Sequence, residues 1–346
     1  MLKIVNKLSD RTLELPAHRL YEELPGPTLV HLKGKKEPAL FVSVLLHGNE
    51  NSGWEVVKNI LTRYKGQTLP RSLSLFIGNI KAARYKKRKL DTQSDFNRVW
   101  RDGNKPENLM MQSILEIMKE RGIFASIDIH NNNGLNPHYA CINKLDKTFL
   151  KLAREFSRMV IYFIRPTGVQ SLAFAKMCPA VTLECGQPGD EYGIQITTTF
   201  VDKILQLDSI EPEENIEETT DLYHTVGIIK IPAEYNFSFN GEKTDIAFIN
   251  GIEKLNFIEI NSDALLGEIK KNILKPLIVL DEEGQDIFDK YFYIENNKIY
   301  TKTTLVPAML TTDIDIIKQD CLCYLMERYD LNQGEKIIID DSPLWN

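Results

Sequence analysis

The sequence predicts an α/β protein in which a mostly parallel or mixed sheet is covered by helices and followed by a second, β-rich domain. Three observations carry this expectation. Short runs that are apolar on both faces alternate with helically spaced segments through the first part of the chain. Such strands belong to sheets covered on both sides. An acidic stretch without a basic residue, DSIEPEENIEETTD at 208–221, interrupts the pattern. Beyond it, segments such as FSFNG, IAFIN and FYIENNKIY are punctuated by glycine and asparagine, which suits antiparallel strands and tight turns.

In chain order, the run ALFVSVLL at 39–46 reads as a buried strand, followed at once by HGNENSG. Residues 53–64 read as a helix, with Trp54, Val57, Ile60 and Leu61 on one stripe. Residues 73–77 form a short apolar run. Residues 108–119 have helical spacing and end near Gly122, a residue suited to a helix C-terminus. Strand-like 123–129, helical 147–159 and strand-like 180–183 complete the series. Like charges crowded at 208–222 disfavour packing, so that segment reads as a linker or a solvated helix between domains at 1–207 and 223–346. Near the end, 313–328 has the spacing of one helix.

A chain of 346 residues with 43% hydrophobic and 26% charged side chains is long enough for one large or two ordinary domains. The formal charge of -6 argues against a nucleic-acid partner. No apolar run is long enough for a membrane span, and no secretory signal opens the chain. Five cysteines without a pairing pattern suit the reducing cytoplasm, which is the expected location. The oligomeric state is open, a homo-oligomer included.

Polar residues of catalytic type stand at the ends of three strand-like runs. His47 and Glu50 follow FVSVLL, His130 follows IFASIDI, and Glu184 follows AVTL. The carboxyl ends of strands in open α/β sheets form the ligand-binding rim. Two imidazoles and a carboxylate suit a catalytic zinc with coordination positions left open. Glu184 is then free to act as general base. Each residue alone also has a structural reading, as a satisfied histidine, a first-turn acid or an edge-strand charge. Their joint placement favours a metal hydrolase. Asn97 and Arg98, between DF and VW, make a pair held by apolar neighbours, and an arginine fork suits a carboxylate. The basic run Lys86–Lys87–Arg88–Lys89 reads as a solvated turn. Asn131 is either a turn residue or a hydrogen-bonding partner of substrate or ligand.

HGNE at 47–50, GNIKAA at 78–83, DFNR at 95–98, DIHNNNG at 128–134 and LECGQPG at 183–189 together resemble the succinylglutamate desuccinylase and aspartoacylase family, a branch of the zinc-carboxypeptidase-like hydrolases. Their order and spacing agree over roughly 38–205. The resemblance implies a zinc-carboxypeptidase-like fold and hydrolysis of an amide joining an acyl group to an amino acid. It makes His47, Glu50 and His130 the Zn2+ ligands, Glu184 the activator of water, and Asn97 and Arg98 the receivers of a substrate carboxylate. Where the family often has Asn-Pro-Arg, with the arginine polarising the carbonyl, this chain has Asn79-Ile80-Lys81. Lys81 or Arg84 is expected to take that part. Aspartoacylases carry a substrate-binding arginine ten residues before the catalytic glutamate, where this chain has Phe174; Arg165 lies in the same stretch. The expected substrate is a small N-acyl amino acid, or a short peptide with a free carboxylate. The alternatives are a zinc carboxypeptidase or peptide deacylase, and a non-catalytic zinc- or carboxylate-binding interaction protein.

Overall fold

The computed structural model describes residues 2–329 apart from Asn133, Lys243, Lys271 and Asn272. Asn133 of the DIHNNNG run, and 330–346 at the end of the β-rich segment, lie outside the described residues.

The apolar runs of the first part form the middle of a 12-stranded mixed sheet. In spatial order its strands are Lys3–Val5, Thr28–Leu32, Leu69–Ile77, Gly34–Val44, Ile123–His130, Ala180–Glu184, Tyr139–Ile142, Met159–Tyr162, Asp221–Lys230, Cys323–Arg328 and Val306–Ala308. Ile278–Leu280 also pairs with Asp221–Lys230. The four strands from Leu69–Ile77 to Ala180–Glu184 are mutually parallel. Beyond the exposed and half-buried start at 34–38, their side chains are mostly buried on both faces, as their apolar runs require. Tyr139–Ile142 then runs antiparallel to Ala180–Glu184.

Helices cover this sheet. Ser52–Arg63 buries Trp54, Val56, Val57 and Ile60, and packs against Glu191–Gln206. Pro106–Arg121 opens with proline in its first turn and stops at Gly122, whose φ of 70° suits glycine. Asp190 caps Glu191–Gln206 by accepting from the Tyr192 and Gly193 amides. Among the described residues, no helix is long and apolar enough to cross a membrane.

A smaller β-rich subdomain follows. Its five-stranded sheet orders Phe237–Ser238, Ile246–Phe248, Leu265–Ile269, Lys298–Thr301 and Phe292–Glu295. The first pair is parallel and the others antiparallel. Asn296 and Asn297, at φ of 50° and 59°, make the two-residue turn between its last two strands. A separate apolar core includes Phe248, Tyr291, Phe292 and Ile299.

Two helical expectations need correction. The helix expected over 147–159 ends as Lys147–Arg154, and Met159–Tyr162 is a strand. The apolar Val160 and Ile161 are taken by parallel pairing with Tyr139–Ile142, which overrides helical spacing. The helix expected over 313–328 is only Ile314–Gln319. It breaks at Asp320, whose φ of −133° and ψ of −87° leave the helical region. Cys323–Arg328 then pairs antiparallel with Asp221–Lys230. The break brings Asp320 and Tyr324 into the same cavity as the strand-end residues.

Candidate metal centre

The first ligand segment is shaped by where the Gly34–Val44 strand stops. Leu45 takes a φ of 56° with its side chain fully buried, which turns the chain toward the rim. A Cβ on Gly48 would lie 2.2 Å from the Ala83 amide nitrogen, so this turn has no room for a side chain. Its own amide donates to the Arg88 carbonyl at 3.1 Å, binding the turn to the basic loop.

Glu50 lies between the two imidazoles. Its Oε1 is 2.7 Å from His47 Nδ1 and its Oε2 is 2.7 Å from His130 Nδ1. One ligand atom from each residue can be chosen so that all three lie within 4.8 Å of one another, and all three residues are buried. The far nitrogens also have carboxylate partners: His47 Nε2 lies 3.0 Å from Asp95 Oδ1, and His130 Nε2 lies 2.8 Å from Asp128 Oδ2. Such partners hold an imidazole's tautomer and leave its other nitrogen to a metal. Asp128 is itself fixed by the Ser43 hydroxyl at 2.6 Å. Two nitrogen donors and one oxygen donor, backed by carboxylates, fit a single Zn2+ with open positions for water and substrate.

Glu184 ends its strand directly beside His130, with which it is in register. It is buried, and among the described residues its Oε2 has no hydrogen-bond partner, which leaves it open to a substrate or water. Burial pushes its carboxyl up to about 7, with the His130 imidazole pulling the other way and Glu50 adding to the rise. For Glu50 burial acts in the same direction, but the two imidazoles outweigh it and hold the carboxyl well below the ordinary range.

One cavity joins these residues to Asn97, Arg98 and Arg165. Asn97 Nδ2 is 3.3 Å from His130 Nε2, and its Oδ1 accepts from the Gln170 amide at 2.9 Å. Arg98 donates to the Asn97 carbonyl at 2.9 Å and to Asp320 at 3.2 Å. Arg165 is exposed at the rim and donates to the Glu282 carbonyl at 2.7 Å. Asn131 does not line the cavity. Its amide group is spent on the Ser52 amide and hydroxyl and on the Gly186 carbonyl, tying a helix start to the loop after Glu184.

Lys81 and Arg84 are not brought to the site. In the short helix Ile80–Arg84 the residues Ile80, Ala82 and Ala83 are buried, so Lys81 and Arg84 face outward. Arg84 lies over the Tyr21 ring, 4.4 Å from its centroid. Of the basic residues at 81–89, Arg88 is the one that lines the cavity. Lys86, at a φ of 53°, turns the loop back, and the Arg88 side chain is only 11% exposed. It meets Asp95 at 2.9 Å and comes within 3.9 Å of Glu50. The reading of the whole 86–89 run as a solvated turn therefore fails at Arg88. Asp95, Asp128, Asp320 and Tyr324 were also missed. A signal existed for Asp128: alternate residues of a strand share a face, so D-x-H places it beside His130. No local pattern marks Asp320.

A model of the succinylglutamate desuccinylase/aspartoacylase catalytic domain matches residues 36–148. Among curated proteins, none matches in sequence. Solved structures share the fold. A succinylglutamate desuccinylase from Chromobacterium violaceum is 17% identical, with a TM-score of 0.58 over 90% of each chain. Murine aminoacylase 3 is 14% identical, with a TM-score of 0.54 over 85% of this chain and 97% of its own. A succinylglutamate desuccinylase/aspartoacylase from Rhodobacter sphaeroides is 10% identical, with a TM-score of 0.54 over 87% of this chain and 89% of its own. The segment matched by the family model carries all three buried ligands. Residues 36–148 thus match the succinylglutamate desuccinylase/aspartoacylase catalytic domain and carry a buried His-Glu-His triad suited to Zn2+, which together support a zinc-dependent hydrolase.

Proposed function

We propose that the chain hydrolyses the amide bond of a small N-acyl amino acid, with His47, Glu50 and His130 holding the zinc, Glu184 moving the proton and Arg88 facing the carbonyl oxygen. The observation that carries this reading is the unpartnered Glu184 Oε2, buried in one cavity with the ligand triad and the Arg88 guanidinium. When bound, zinc supplies Lewis acidity, easing deprotonation of water and polarising the carbonyl. Glu184 accepts the proton of the attacking water as the carbon–oxygen bond forms. Arg88, held by Asp95, presents a fixed positive charge to the oxygen as it becomes negative. A preorganised donor of this kind is worth about 3 kcal/mol. As the carbon–nitrogen bond breaks, Glu184 returns the proton to the departing amine, leaving a carboxylate and a free amino acid. Asn97 orients the substrate, and Arg165 at the rim is the cation open to a substrate carboxylate, Arg98 being engaged by Asp320.

A small substrate is favoured over a peptide because Ala308, Met309, Asp320 and Tyr324, all from the C-terminal part, line the same cavity as the metal ligands and limit its extent. The test is a zinc-dependent assay comparing N-acyl amino acids with peptides of increasing length. Turnover confined to the small compounds and abolished by chelation is expected. Efficient release of C-terminal residues from long peptides would turn the reading to a carboxypeptidase, and stoichiometric zinc binding without any turnover to a binding protein.

A further inference from the structure

Arg98 and Arg88 both face a carboxylate that belongs to the protein. Asp320 reaches Arg98 at 3.2 and 3.3 Å and Arg88 at 3.3 Å, and Tyr324 Oη adds a contact to Arg98 at 3.4 Å. Arg88 is further matched by Asp95. The residues lining the cavity include three arginines, Arg88, Arg98 and Arg165, and three carboxylates, Glu50, Glu184 and Asp320. Arg165 alone of the three arginines stands at the exposed rim without a carboxylate contact among those described. The rest of the wall is largely apolar, with Ile161, Phe163, Val169, Ala308 and Met309.

We infer that Asp320 sets specificity by occupying Arg98, so that the substrate is an N-acyl amino acid with one carboxylate and an otherwise uncharged, apolar body. This rests on the hydrolase reading above and narrows its substrate. A second carboxylate entering the cavity would have to displace Asp320 from Arg98 and then lie beside its negative charge. Like-charge juxtaposition of this kind is one of the two routes by which a site rejects a wrong partner. The backbone that carries Asp320 is held in place. Its amide donates to the Ile316 carbonyl at 2.9 Å, and the adjoining Cys321 and Leu322 are buried. The single carboxylate is left to Arg165, and the aliphatic part of the substrate to the Ile161, Phe163 and Met309 wall.

The experiment compares kcat/KM of the zinc-loaded protein for N-acetyl-leucine and N-acetyl-methionine with that for N-acetyl-aspartate and N-succinyl-glutamate. We expect a preference of about tenfold or more for the first pair. Asp320→Asn, which keeps the size and removes the charge, should lower that ratio at least about tenfold, chiefly through a smaller KM for the dianions. Asp320→Glu, which restores the charge, should return the ratio toward that of the unaltered protein. A wild-type preference for the dianions overturns the inference. So does an equal loss for both classes in Asp320→Asn, which would mark a purely structural residue. Should neither class turn over, the hydrolase reading fails, and calorimetric binding of the same four compounds still decides on Asp320: tighter binding of the dianions overturns it, and tighter binding of the apolar pair upholds it.

Discussion

Glu184 and Arg88 divide the chemistry at the residue scale, and their environments predict different failures. Glu184→Gln removes the proton acceptor without touching a ligand. Zinc content measured by metal analysis should stay near one per chain while kcat falls by about 10³-fold; turnover within tenfold of the unaltered protein would dismiss Glu184 as the base. Arg88→Ala should lower kcat/KM by roughly 10²-fold, because a charge preorganised in a buried site is lost. Lys81→Ala and Arg84→Ala, both on the outer face of their helix, should change it by less than about threefold. The reverse ranking would return the carbonyl-polarising part to Lys81 or Arg84. The triad was legible in the sequence because ligand-type residues at strand ends need little further geometry to converge. Arg88 was not legible, since which of several adjacent basic residues points inward depends on the left-handed turn at Lys86.

At the scale of elements, the site depends on contacts between turns that no single segment encodes. Gly48 joins the HGNE turn to both the helix Ile80–Arg84 and the loop bearing Arg88. A methyl group there would meet the Ala83 nitrogen at 2.2 Å and the Lys87 carbonyl oxygen at 2.7 Å, both backbone atoms without a rotamer to yield. Gly48→Ala should therefore destabilise the fold by about 2–3 kcal/mol in urea unfolding, near the upper range for overpacking. The loss should be accompanied by weaker zinc retention as His47 shifts. A variant with wild-type stability would show that the turn relaxes freely and that its glycine is not a steric requirement. The buried parallel strands could be read from composition alone, because a fully covered strand has only apolar positions to offer. The segments 147–159 and 313–328 could not. Both hold apolar residues at helical spacing; pairing with Asp221–Lys230 captured the second half of 313–328, whereas 147–159 leaves the helix after Arg154 and enters a strand only at Met159. That competition is settled by tertiary pairing, which lies outside the segment.

For the whole molecule, the acidic segment raises the question of how separable the two halves are. We propose the division at 1–207, 208–222 and 223–346, and its test is proteolytic. Residues 208–214 carry no helix or strand, and 211–214 are exposed. A glutamate-specific protease needs several residues of extended, accessible chain, which local opening supplies more cheaply here than inside a packed element. The first cuts should therefore fall after Glu213 or Glu214, Glu211 being protected by the following Pro212. The nicked protein should nevertheless remain one particle. The Asp221–Lys230 strand pairs with Met159–Tyr162 along one edge and with Cys323–Arg328 along the other, so it stitches both halves into a single sheet. A shared apolar cluster of Tyr139, Ile161, Val306 and Met326 lies across the same seam. Because Asp320 and Tyr324 reach the cavity from beyond the cut, co-elution should bring retained zinc and substrate selectivity with it. Initial cleavage inside either half would refute the boundary. Separation of the fragments without denaturant would show that sheet pairing and the shared cluster are too weak to hold the cavity together, and selectivity should then be lost in the isolated first half.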